Sequence, residues 1–321
     1  MFKQRRQCLA WAAAPAWAPA LRAAPPGPLP LLRICIPGGA GGGWDQTGRA
    51  LGEAVLAAGL AQKVACENKP GKGGTIGLAD FVQRFDRDPA ALLVGGMVMV
   101  GAIAASQPQV HLGHVTPLAR LTNDYLALVV PAGSRLSSLK ALAAELQRHV
   151  GGITFSGGSL GGVDHMLAGM LVRQLRLDTG ALRYLPATAA EESLAMLASG
   201  QAQVVVSGYS ELKAGIDARR LVALAVSSRR SLHGIPSLSE QGVPIELANW
   251  RGVFGPAGIT DAQKQALREL VLRAAESAAW QQALVQKDWI GALLAGRAFE
   301  QALEVDQSIA GVVAHMLKLK G

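Results

Sequence analysis

Apolar and polar positions fall into two alternating periods along this chain. Leu31-Leu32-Arg33-Ile34-Cys35-Ile36 is a strand-like run, and Gln46 to Leu60 follows it with helical spacing. Val64 to Glu67 then reads as strand, Ile76 to Phe85 as helix and Ala91 to Gly95 as strand. That order predicts βαβ units and a mostly parallel sheet. A second series starts at Tyr125 to Val130, continues through a helix over Leu139 to Gln147, and returns to strand at Ile153-Thr154-Phe155. Arg183 to Leu185, Gln203 to Val206, Leu221 to Val226 and Trp250 to Gly255 are further strands, and helices over Asp261 to Ser277 and Arg297 to Leu317 close the chain. Two α/β lobes with a ligand cleft between them follow, because open parallel sheets take ligands beyond the carboxyl ends of their strands.

Ala90 to Ala105 carries no charge, but it is shorter than the ~20 apolar residues a membrane-spanning helix needs. Its Gly95-Gly96 pair predicts a buried strand, a tight turn and the start of a helix. At the start of the chain, Lys3, Arg5 and Arg6 precede an uncharged stretch to Leu21 and small residues up to Ala24, the pattern of a signal peptide over residues 1–24. The surplus of 31 basic over 23 acidic residues shrinks without the four basic residues of that segment, to 27 against 23, or +4. Nothing in that balance calls for nucleic acid. Among 321 residues Cys35 and Cys66 are the only cysteines beyond Cys8. Both sit in strand-like runs, so a disulfide is conceivable and two buried thiols are the stronger expectation. No spacing of Cys or His suggests a metal.

The chemistry concentrates in three glycine loops, each leading from a strand into a helix. Pro37-Gly38-Gly39-Ala40-Gly41-Gly42-Gly43-Trp44-Asp45 exposes backbone N–H groups at a helix start, a natural seat for an anion. It lacks the glycine spacing of a dinucleotide fingerprint, so no nucleotide cofactor is expected. A carboxylate at Asp45 would repel an anion; it either caps the helix or touches the ligand directly. Asn68-Lys69-Pro70-Gly71-Lys72-Gly73-Gly74-Thr75 repeats the arrangement, with Thr75 placed to offer a hydroxyl. Ser156-Gly157-Gly158-Ser159-Leu160-Gly161-Gly162-Val163-Asp164-His165 is the third loop, where Asp164 and His165 are polar helix-start residues that hold the loop. Gly157-x-Ser159-x-Gly161 also matches a hydrolase nucleophile elbow, with Asp217 and His233 following in the order of a triad. No arginine lies in any of the loops, so a bound carboxylate would meet backbone donors, hydroxyls and helix dipoles.

Five ordered motifs resemble the substrate-binding proteins of tripartite tricarboxylate transporters, the Bug-type receptors. They are residues 37–45, Glu67 to Gly77, Gly157 to His165, Val206-Ser207-Gly208-Tyr209-Ser210-Glu211, and Asn249-Trp250-Arg251-Gly252-Val253-Phe254. The resemblance implies an α/β, two-lobed type II periplasmic binding fold, with residues 31–126 and 229–321 in one lobe and 127–228 in the other. It implies a non-enzymatic, cofactor-free and monomeric periplasmic receptor for a small tri- or dicarboxylate, which passes its ligand to a large and a small membrane subunit. Ligand contacts carried over by the resemblance are Gly42, Gly43, Trp44, Gly74, Thr75, Ser156, Gly158 and Ser159, with Tyr209 as a wall; Asp45, Gly73 and Asp164 complete the candidate set. The chain departs from the family pattern at Pro186-Ala187-Thr188-Ala189-Ala190, where Thr188 is the one hydroxyl of a usually Gly- or Ser-rich turn. A serine hydrolase and a secreted sensor component are the competing functions.

Overall fold

In a computed structural model, which describes residues 27–319, the chain runs through ten strands and ten α-helices. The expected signal peptide lies outside the described residues. β1 (Leu32–Ile36), α1 (Gly43–Ala57), β2 (Val64–Asn68), α2 (Thr75–Phe85), β3 (Ala91–Gly96) and α3 (Met97–Ser106) form the first α/β series. β4 (Val115–Pro131), α4 (Leu139–Arg148), β5 (Thr154–Gly157), α5 (Val163–Gln174), β6 (Arg183–Pro186), α6 (Ala190–Ala198), β7 (Val204–Gly208), α7 (Tyr209–Asp217) and β8 (Leu221–Val226) form the second. β9 (Ala248–Pro256), α8 (Asp261–Glu276), α9 (Ala278–Gln286), β10 (Ile290–Ala295) and α10 (Arg297–Met316) return to the first half.

The strand order is β2-β1-β3-β9-β4-β7-β5-β6, with β8 and β10 also paired to β4. β1, β2 and β3 are mutually parallel, as are β5, β6 and β7. β4 is the strand the two halves share. Its residues from Val115 to Tyr125 pair with β9, whereas Leu126 to Pro131 pair with β7 and β8. The sequence pattern located only the second part of this strand. Register shifts between Pro117 and Ala119 and between Arg120 and Thr122 break the two-residue alternation in the first part. β10 escaped for a related reason, since it lies half-exposed along β4 with its own register shift.

Leu32, Ile34 and Ile36 pack with Leu51, Ala54 and Val55 of α1. Gly48 lets that helix lie close: a Cβ there would be 2.8 Å from Ile36 Cδ1, so the glycine that weakens the helix locally permits its contact with the sheet. A second core runs from Leu78, Phe81 and Leu93 through Phe155, Val204 and Val206 to Phe299, Leu303 and Val313 of α10, joining both halves. Ala90 to Ala105 becomes a buried strand and the helix after it, and among the described residues no helix is long and apolar enough to cross a membrane. Cys35 and Cys66 are free thiols. Cys66 pairs with Ile34 and Cys35 with Glu67, so the one-residue offset turns the two side chains to opposite faces of the sheet.

Candidate functional site

The six helices that follow the six parallel strands, α1, α2, α3, α5, α6 and α7, begin without a side-chain cap, and all but α6 open on a glycine. Of the other four helices, α10 also opens on an uncapped glycine, Gly296, and the remaining three carry hydroxyl caps. Ser138, Thr260 and Ser277 each accept a backbone N–H at the start of α4, α8 and α9. Hydroxyl caps are therefore withheld at the strand ends, where free N–H groups and the positive end of the helix dipole remain available to an anion.

These ends converge. A Cβ on Gly74 (φ +91°) would lie 2.6 Å from the Trp44 ring, so the indole of the first loop covers the second, and only glycine suits that position. A Cβ on Gly73 would lie 3.3 Å from Ser159 Oγ, which brings the second loop of the first half against the third loop of the second. The main chain of Gly101 in α3 likewise lies against that of Gly161. Ser159 Oγ is buried without a hydrogen-bond partner among the described residues. Thr75 donates to the Lys72 carbonyl at 3.0 Å and keeps its lone pairs open.

Three expected ligand contacts are committed to the fold instead. Asp45 accepts from Gly41 N (2.9 Å), Arg49 Nε (2.8 Å) and Asn68 Nδ2 (2.9 Å), so it shapes the first loop as a helix-start residue. Burial pushes its carboxyl upward, but those donors outweigh burial and hold it below the ordinary value. Ser156 donates to the Leu185 carbonyl at 3.0 Å and is fully buried between β5 and β6. Tyr209 stacks on His233 with ring centroids 4.2 Å apart and packs among Leu212, Val226 and Ile235, within the core of the second half. Thr188, the lone hydroxyl of the divergent turn, is held by Glu192 at 2.8 Å.

The charged part of the site was not anticipated. Arg251, from β9, presses its guanidinium on Gly43, where a Cβ would meet Nη2 at 2.5 Å. Its Nη2 donates to Asp124 at 2.7 Å, both side chains are almost completely buried, and its Nη1 has no partner among the described residues. Asp124 lies on β4 next to the change of strand partners and also accepts from Ser210 Oγ at 2.7 Å, at the start of α7. Glu211, next along α7, accepts from Ser207 Oγ at 2.7 Å and keeps an exposed side. Burial raises its carboxyl, and Arg251 opposes the rise. Burial, reinforced by Glu211, pushes Asp164 up to about 7. His165 accepts from Gly161 N at 3.1 Å, stacks on Tyr184 and is pushed down to about 4 by burial, so it is a neutral, hydrogen-bonded core histidine. An arginine inside the apolar run Trp250 to Phe254 was the available signal, since a charge in a buried strand requires a partner.

Chemically, the arrangement offers anion-binding groups, and Ser159, Asp217 and His233 do not come together as a hydrolytic triad. Asp217 pairs with Lys213 and His233 stacks on Tyr209, so neither serves Ser159, whose Oγ has no hydrogen-bond partner among the described residues. An open surface hollow lined by Arg229, Arg230, Ser239, Glu240, Pro244 and Glu246 includes no loop residue. Three of the buried polar atoms without a partner among the described residues, Ser159 Oγ, Asp164 Oδ1 and Arg251 Nη1, lie in or beside the ring of loops, which is the better site.

Solved structures share this fold. MatC from Rhodopseudomonas palustris, with bound malate, is 20% identical at a TM-score of 0.74, covering 88% of this chain and 98% of that one. A second R. palustris protein, with adipate, is 18% identical at a TM-score of 0.78, covering 90% and 97%. The periplasmic binding protein BugD is 19% identical at a TM-score of 0.73, covering 90% and 96%. These neighbours make the fold a two-lobed periplasmic binding fold. No curated protein sequence matches the chain. The family described as "Tripartite tricarboxylate transporter family receptor" matches residues 49–293. With that match over most of its length and the family's fold around the three loops, the chain belongs to the tripartite tricarboxylate transporter receptor family.

Proposed function

We propose that this chain is a periplasmic, non-enzymatic receptor that closes on a small organic carboxylate, of the di- or tricarboxylate type, and delivers it to a transporter of one large and one small membrane subunit. One observation carries the ligand class. Helix starts from both halves, all without side-chain caps, come together where Gly73 meets Ser159 and Gly101 meets Gly161, with the buried Arg251 against Gly43. Family membership supports the receptor role, and the malate and adipate of the neighbours support a carboxylate ligand. The lobes divide as 31–126 with 229–321 against 127–228, the receptor works as a monomer, and no cofactor takes part.

In this reading Gly42, Gly43, Gly73 and Gly74 offer backbone to the ligand, Ser159 offers its hydroxyl, Thr75 offers its own by turning from the Lys72 carbonyl, Trp44 forms a wall, and Gly158 acts through Asp164 and Tyr184, which hold its N–H and carbonyl. Asp45, Ser156 and Tyr209 hold these groups in place, and Arg251 adds the cationic contact. The test is a thermal-shift screen of the protein against mono-, di- and tricarboxylates, followed by titration of Thr75→Val and Ser159→Ala. A selective rise in melting temperature with one acid is expected; ligand at ~100 times the dissociation constant stabilises the native state by ~2.7 kcal/mol. Both variants should fold and bind more weakly. A flat response to every acid, or undiminished affinity in both variants, would refute the assignment.

A further inference from the structure

The two halves use one device twice, and only one copy is complete. Gly42-Gly43-Trp44-Asp45 and Gly161-Gly162-Val163-Asp164 each place an aspartate in the first turn of a helix, where it accepts a backbone N–H of its own glycine loop. Asp45 has a donor on both oxygens. Asp164 Oδ2 accepts from Gly158 N at 2.8 Å, but Oδ1 is buried with no partner among the described residues, in a residue only 7% exposed. Its charged neighbours are Glu211 and Asp124, which repel it, and Arg251. Arg251 is already engaged with Asp124.

Buried polar atoms without partners are uncommon, and in a receptor whose site is finished by its ligand they mark where ligand atoms go. Three such atoms belong to this ring, and their chemistry differs. Arg251 Nη1 can only donate, Ser159 Oγ donates or accepts, and an ionised Asp164 Oδ1 can only accept. A ligand made solely of carboxylates answers the first two and sets like charge against the third. Glu211, in the same cluster, adds a second acceptor and deepens that mismatch.

We propose that the ligand is a carboxylate bearing a hydrogen-bond donor, a hydroxyl or an ammonium group, and that this donor is read by Asp164 Oδ1. This inference rests on the carboxylate-receptor reading and narrows it. Asp164 is then a specificity residue: a ligand without the donor leaves a buried acceptor unpaired, which sites built around such a contact reject strongly. A protonated Asp164 donating to a ligand carboxylate is the opposing arrangement, and an asparagine at this position imitates it. With its carbonyl oxygen toward Gly158 N, the amide NH2 of Asp164→Asn takes the place of Oδ1.

The experiment is isothermal titration of the wild-type protein with matched acids: succinate, malate and aspartate as one set, tricarballylate and citrate as another. The donor-bearing members should bind at least about tenfold more tightly than the unsubstituted acid of their set, and malate against aspartate tells hydroxyl from ammonium. Asp164→Asn should remove the gap. If that variant does not fold, Asp164→Ser, which keeps a hydroxyl for Gly158 N, carries the same comparison. Equal affinity for succinate and its substituted partners, and for tricarballylate and citrate, would overturn the inference and leave the receptor reading standing. A gap that survives in the variant, or an Asp164→Asn protein that binds as tightly as wild type, would remove Asp164 from the role. Binding of no carboxylate at all would end both readings.

Discussion

Arg251→Met tests whether the buried pair at the shared strand organises the site. Arg251 Nη2 and Asp124 Oδ2 are 2.7 Å apart, with side chains 3% and 1% exposed, so neither charge can turn to water when the other is removed. Deleting one member of such a pair costs about 3–5 kcal/mol, because the survivor stays buried and uncompensated. For a chain of this size a kilocalorie moves the melting temperature by roughly 2 °C, so a fall of about 6–10 °C is expected. The loss should also depend on pH. Arg251 holds down the carboxyls of Asp164 and Glu211, both raised by burial. Without it those folded-state values rise further, and groups with raised values give stability that is lost as pH increases. The deficit of Arg251→Met should therefore be larger at pH 8 than at pH 5. Scanning calorimetry of wild type, Arg251→Met, Asp124→Asn and the double variant at both pH values measures it. The double variant should recover part of the loss, since two neutral side chains leave no charge stranded. A single variant within about 1 kcal/mol of wild type, or a deficit equal at the two pH values, would refute the reasoning.

Two further predictions follow from individual residues. Asp164, raised to about 7 from an unfolded value of 3.8, contributes stability that is present at low pH and lost as pH rises through 7; His165, lowered to about 4, works in the opposite sense below 6.5. Between pH 6.5 and 8 Asp164 is left to act, so unliganded protein should lose about 1 kcal/mol over that interval by melting-temperature profile, and Asp164→Asn should flatten the slope. Gly74→Ala, at φ +91° with its Cβ 2.6 Å from the Trp44 ring, should cost about 1–3 kcal/mol by urea unfolding and weaken ligand binding by titration. Unchanged stability and affinity would mean that the second loop rearranges freely.

Much of this molecule was legible in its sequence because two kinds of signal are local. Strand and helix periods located β1, α1, β2, α2 and β3 within a few residues, and the glycine runs marked the loops that converge. What the sequence hid depends on distant residues. Val115 to Asp124 looked unlike a strand because register shifts against β9 displaced its alternation. Arg251 and Asp124 are 127 positions apart, and nothing near either of them announces the pair. Ser156 and Thr75 read alike as loop hydroxyls, and both donate their one proton to a backbone carbonyl, of Leu185 and Lys72; only the sheet reveals that the first is sealed between two strands while the second stands at the start of α2. Asp45 could be read as cap or contact from sequence, and the decision came from Asn68 and Arg49, which supply its donors.

The choice of glycine at the helix starts has an energetic logic that connects fold to closure. Glycine in place of Ser or Asp at an N-cap costs only a few tenths of a kcal/mol, whereas alanine costs ~1. Five such glycines together therefore lower stability by roughly 1–2 kcal/mol, which a domain with cores this extensive tolerates. In return each terminus keeps N–H groups that neither a hydroxyl nor a methyl obstructs. An anion at one such terminus gains ~0.3–1 kcal/mol from the helix dipole, more when partly buried. α1, α2 and α3 belong to the first half, α5 and α7 to the second, and the two sets are brought together where Gly73 meets Ser159 and Gly101 meets Gly161. An anion held by one half alone collects part of that attraction. The closed arrangement collects all of it, and this difference in affinity between the two states is what a ligand must have in order to close the receptor.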